Sequence, residues 1–227
     1  MQEISGLSML SASARLVLVA GMLSTGLLAA DQQAWTITFE DDRVDQPPAG
    51  FTLAAMRQSD AGRWLVQRDS TGHHLVHRAD PAAPGFALAV SNRMTPDDLS
   101  VSARVRFNGT SMSGGLVWRY RNDQNYYALL LDLNRGVLSI YRVTAGVRIQ
   151  LDTRDELELD PAAWHSLKVV HVGNDIRVVL GGVRVFDEHD RRADRRPDGE
   201  GRVGVVATGA SEIWFDDVSV ESKRSHQ

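Results

Sequence analysis

Residues 114–143 read GGLVWRYRNDQNYYALLLDLNRGVLSIYRV, and they decide the fold. Leu116, Trp118 and Tyr120 share one parity, Val117 and Arg119 the other. Tyr127, Leu129, Leu131 and Leu133 form a second alternating run. In a third, Leu138, Ile140 and Arg142 alternate with Val137, Ser139, Tyr141 and Val143. Side chains in a strand alternate between two faces, so period two predicts three strands. The breaks are short and polar, which makes them antiparallel hairpins. In Asn134-Arg135-Gly136 the glycine supplies the positive φ of the second turn. A buried helix is the rival for YYALLLDL, but the run is short and turn signals lie close on both sides.

The rest of the chain repeats this pattern. Residues 99–107 alternate most cleanly, with Leu99, Val101, Ala103, Val105 and Phe107 opposite Ser100, Ser102, Arg104 and Arg106. Residues 34–40 (AWTITFE) form a first strand. Residues 164–172 and 175–180 form a hairpin across Gly173-Asn174, and residues 202–208 and 212–220 close the chain. Residues 147–151 are a weak strand, residues 152–161 leave room for a short helix, and residues 188–200 read as a charge-dense polar loop. About thirteen short strands, with turn signals every eight to twelve residues, predict an all-β sandwich of two antiparallel sheets.

Bulk properties limit the function. The chain has 227 residues, a formal net charge of −4, 24% charged residues and no cysteine. It is long enough to bury a core without staples. It has neither a disulfide nor thiolate chemistry. Its 25 lysines and arginines are scattered, which argues against nucleic acid as a partner.

Residues 16–30 (LVLVAGMLSTGLLAA) are uncharged and follow Arg15. Fifteen residues are fewer than the roughly 20 that a membrane helix needs. A cation, an apolar run and a small-residue end predict a signal peptide over residues 1–30. The sequence thus divides into that segment, one sandwich domain over residues 31–221, and a flexible tail over residues 222–227. Secretion or delivery to the periplasm follows, with no integral membrane span after processing.

Four stretches carry a resemblance: residues 114–133, residues 137–143 (VLSIYRV), residues 164–190 (WHSLKVVHVGNDIRVVLGGVRVFDEHD) and residues 201–221 (GRVGVVATGASEIWFDDVSVE). In order and spacing they resemble the concanavalin A-like lectin/glucanase superfamily, and within it the 3-keto-disaccharide hydrolase family. The resemblance implies a jelly roll of two curved sheets, many of whose relatives bind glycans on the concave face. It also implies pairing of the first and last strands, with an acid near each helping to hold a structural Ca2+. The residues that match are Glu40, Asp41 and Asp217, and oxygen ligands suit that ion.

Parity proposes a ligand site. Arg104 and Arg106 point away from the core face of their strand, Arg119 opposes Trp118, and Asp132 shares the parity of Tyr126. Arg104, Arg106, Arg119, Tyr126 and Asp132 therefore define a polar, arginine-lined groove with tyrosine walls. Such a mixture suits the apolar faces and hydroxyls of sugars. Hydrolysis by the common glycosidase route needs two carboxyl groups. The E-x-D-x-x-E run of laminarinase-type relatives is missing. Three functions remain open: recognition of an oligosaccharide or polysaccharide, cleavage of a 3-keto-disaccharide or related modified sugar, and a structural or protein-binding role like that of laminin G-like modules.

Overall fold

A computed structural model describes residues 34–55, 63–79, 86–109, 112–160, 162–191, 200–209 and 212–223. The expected signal segment and residues 224–227 lie outside the described residues. Sheet A contains β1 (Ala34–Ile37), β3 (Arg63–Asp69), β4 (Gly72–Arg78), β6 (Leu99–Asn108), β11 (His165–Val172), β12 (Asp175–Leu180), β13 (Val183–His189) and β15 (Glu212–Ser222). Sheet B contains β2 (Phe51–Ala55), β5 (Ala87–Thr95), β7 (Met112–Asn122), β8 (Asn125–Asp132), β9 (Val137–Thr144), β10 (Val147–Arg154) and β14 (Gly201–Gly209).

Sheet A runs β13-β12-β11-β6-β15-β4-β3, with β1 also on β15; sheet B runs β10-β9-β8-β7-β14-β5-β2. The strand pairs in both are antiparallel. The three strands read from residues 114–143 are β7, β8 and β9, paired in sequence order.

The core sits between the sheets. Leu99, Val101 and Val105 of β6 meet the layer of Leu116, Trp118, Tyr127, Leu129 and Leu131, all fully buried. Tight interdigitation of such side chains is what makes the sandwich resist any change in core volume. Residues of opposite parity in sheet B, including Leu88, Val90, Val117, Tyr126, Ala128, Leu130 and Val206, form a second apolar cluster on the side turned away from sheet A.

β15 is the hub of sheet A. Glu212–Phe215 pairs with β4, whereas Val218–Glu221 pairs with β1, so the first and last strands do pair. The change of partner falls at a bulge where Asp217 has φ of 51°. A bulge bends the strand and re-aims the side chains beside it, which turns Asp216 and Asp217 towards Arg104.

Three details differ from the sequence reading. β10 is a full strand that runs to Arg154. Residues 155–160 contain no helix; Leu157 N–H donates to Gly136 O at 2.9 Å, and Leu157 and Leu159 pack on the core. β15 extends through Ser222, and Lys223 N–H donates to Asp98 O at 2.8 Å, so order continues past residue 221.

Candidate functional site

A cavity of about 320 Å³ opens on the outer side of sheet B. β7 supplies Ser113, β8 Leu130 and Asp132, β9 Val137, Ser139 and Tyr141, β10 Arg148, Gln150 and Thr153, and β14 Thr208; Phe86 and Arg135 complete the wall. Alternation explains the selection, because these strand residues stand opposite the core-facing ones. The β10 bulge between Gln150 and Asp152 shifts the phase, so that Thr153 joins them. Ser139 Oγ and Thr153 Oγ1 are 2.9 Å apart, and Asp132 Oδ1 accepts the N–H of Arg135 at 3.1 Å.

One cation in the cavity lies over two aromatic rings. The Arg148 guanidinium carbon lies 4.7 Å from the Phe86 ring centre and 4.8 Å from that of Tyr141. Attraction to the two rings restrains the guanidinium. Hydroxyls, an amide, a carboxylate and a stacked cation beside apolar walls can orient a hydroxylated ligand.

The five residues expected to share a groove separate. Asp132 lines the cavity. Tyr126 lies on the same side of sheet B but is 1% exposed in the second apolar cluster, where burial raises its hydroxyl pKa. Arg104 and Arg106 project from β6 on the outer side of sheet A. Arg119 has φ of 47° at the break in β7 register and is fully buried. Its Nε donates to Asp97 O at 3.0 Å and its Nη2 to Gly173 O at 3.3 Å, so it ties together turns at one end of the sandwich. Sequence reasoning passed over Arg148 and Gln150 because residues 147–151 carry little apolar pattern. Their shared parity was the available signal.

On sheet A, buried His74 lies between two carboxylates, with Nε2 3.0 Å from Asp69 Oδ1 and Nδ1 3.2 Å from Asp216 Oδ2. Arg104 donates to Asp216 at 2.7 Å and to Asp217 at 2.6 Å, and Arg106 donates to Asp69 at 3.2 Å. Both arginines lie over Trp164, at 5.0 and 4.9 Å, and Arg106 also lies over Trp214 at 4.6 Å. Trp164 is half-buried on this outer face. The Asp216 carboxyl is raised by burial, while the Thr71 hydroxyl holds the Asp69 carboxyl well below the usual range. Here the arginines are matched by acids, so the cluster reads as a clamp joining β3, β4, β6 and β15.

Two of the three acids matched to calcium have partners within the fold. Glu40 accepts the N–H of His73 at 3.1 Å, and Asp217 pairs with Arg104. Among the described residues no group of three or more His, Cys, Asp or Glu is placed to hold a metal ion.

Strand order, register and core together define an all-β jelly roll with the concanavalin A-like lectin/glucanase fold. The carbohydrate-binding module CBM66 from Bacillus subtilis has this fold at 18% identity and a TM-score of 0.59, covering 75% of this chain and 95% of that one. A beta-1,3-glucanase from Mycobacterium marinum matches at 14% identity and a TM-score of 0.56, covering 82% and 97%. The Bacillus licheniformis beta-glucanase matches at 11% and 0.55, covering 85% and 98%. No family model and no curated protein matches the sequence. The likeness extends to the superfamily fold, and not to the 3-keto-disaccharide hydrolase family in particular.

Proposed function

We propose that this protein is exported and binds an oligosaccharide or polysaccharide on the outer side of sheet B. The observation that carries the reading is the convergence of polar side chains from five adjacent strands on one cavity that holds the Phe86–Arg148–Tyr141 stack. Solved relatives of this fold include a carbohydrate-binding module and glucanases, which adds support. Binding is favoured over two-carboxylate hydrolysis because, among the described residues, Asp132 is the one carboxylate lining the cavity.

The test is a panel of neutral and charged glycans and 3-keto-glycosides, scored for binding by calorimetry and for product by chromatography. Saturable binding without product is expected. Product release from the 3-keto-glycosides would move the reading to the hydrolase, and silence across the panel would remove both.

A further inference from the structure

Resting on that glycan-binding reading, we infer that the ligand is an anionic sugar chain, one bearing carboxylates or sulfates. Two guanidinium groups, Arg135 and Arg148, line the cavity, against one carboxylate, Asp132. Asp132 already accepts the backbone N–H of Arg135 through Oδ1. Among the described residues, no carboxylate forms an ion pair with either arginine, whereas Arg78, Arg104, Arg106, Arg142, Arg177 and Arg184 all have acidic partners. The cavity is thus locally cationic in a chain of net charge −4.

Arg148 is also built to receive an anion. Its guanidinium carbon lies over two ring centres, at 4.7 and 4.8 Å, which restrains the group. Its N–H fork, without a carboxylate partner among the described residues, suits a planar carboxylate or a sulfate. Fixing the group beforehand lowers the ordering cost of binding. Ser139, Gln150 and Thr153 stand in the same wall to meet the neutral hydroxyls of such a sugar. The charge selects an anionic residue, while the hydroxyls and amide suit the rest of the sugar.

The experiment titrates the purified full chain with polygalacturonate and with a neutral β-glucan of similar length, at low and high NaCl. Polygalacturonate should bind about tenfold more tightly or better, as one charge-assisted contact implies. Salt should weaken this preference. Arg148→Gln and Arg135→Gln should each weaken binding of the charged polymer more than that of the neutral glucan, so that the preference for polygalacturonate shrinks several-fold. Unfolding midpoints of both variants establish that they are native. If the β-glucan binds as tightly as polygalacturonate and both variants behave like wild type, the anionic inference is overturned and the glycan reading survives. No binding of either polymer overturns the two together.

Discussion

Arg142 and Asp190 form a buried ion pair: Arg142 Nη1 donates to Asp190 Oδ1 at 2.6 Å and to Oδ2 at 2.7 Å, with side chains 1% and 2% exposed. The Tyr127 hydroxyl donates to the same carboxylate at 2.8 Å. Arg142 and Tyr127 belong to β9 and β8 of sheet B, whereas Asp190 follows β13 of sheet A. The contact therefore fastens one sheet to the other. Asp190→Ala would leave the Arg142 charge buried without this partner, a loss of about 3–5 kcal/mol by comparison with other broken buried pairs. Urea unfolding measures it, and a loss below about 1 kcal/mol would show that the pair does not hold the sheets together.

This pair also shows what the sequence reveals. Arg142 shares the parity of Leu138 and Ile140, so its inward direction is legible in the alternation. Asp190 sits among charges and reads as part of a solvated loop; only the fold brings it to Tyr127. The strands of residues 99–107 and 114–143 are legible because one face of each is continuously apolar. Parity separates core from surface, but it does not say which of two sheets carries a surface residue. That is why Arg104 and Arg106 were grouped with Asp132. It also loses phase at a bulge, which is how Arg119, read as facing a groove, turns out fully buried.

Acid should act through Asp69. Its carboxylate accepts the Thr71 hydroxyl at 2.6 Å and the Thr71 N–H at 2.7 Å, and it contacts His74 and Arg106. The folded carboxyl is held low chiefly by the Thr71 hydroxyl. A lowered folded pKa adds stability above the unfolded value, about 3.9 for Asp, and that stability disappears as pH falls through the folded value. Asp69→Asn should therefore lower the melting temperature at pH 7, with the gap to wild type narrowing progressively below about pH 4. A gap of constant size from pH 7 to pH 2 would assign the effect to packing instead.

Glycines at two places should respond to different degrees. A Cβ on Gly115 of β7 would overlap the Leu129 carbonyl oxygen of β8, and backbone cannot rotate aside. Gly115→Ala should cost about 1–3 kcal/mol or more, as overpacking does. Gly173 has φ of 56° in the β11–β12 turn with open space around its Cβ position. Asn tolerates that backbone region, so Gly173→Asn should cost less than about 1 kcal/mol. Thermal unfolding of both variants checks the contrast; equal losses would contradict the close β7–β8 approach.

The two outer faces can be told apart by paired substitutions. Tyr141 forms one wall of the Arg148 stack in the sheet B cavity, whereas Arg104 lies across the molecule's other sheet, over Trp164 and paired with Asp216 and Asp217. If the glycan occupies sheet B, Tyr141→Ala should weaken it at least about tenfold, the scale of a central aromatic contact. Arg104→Gln should lower stability by breaking the clamp yet leave glycan affinity within about twofold, because it is remote from the cavity. Calorimetric titration gives the affinities, and unfolding midpoints show whether each variant is native under the titration conditions. The reverse result, with Arg104→Gln losing affinity and Tyr141→Ala retaining it, would transfer the glycan to the outer face of sheet A. There Trp164 and Trp214 would provide the stacking surface, and the arginines now matched by acids would have to exchange those partners for the ligand.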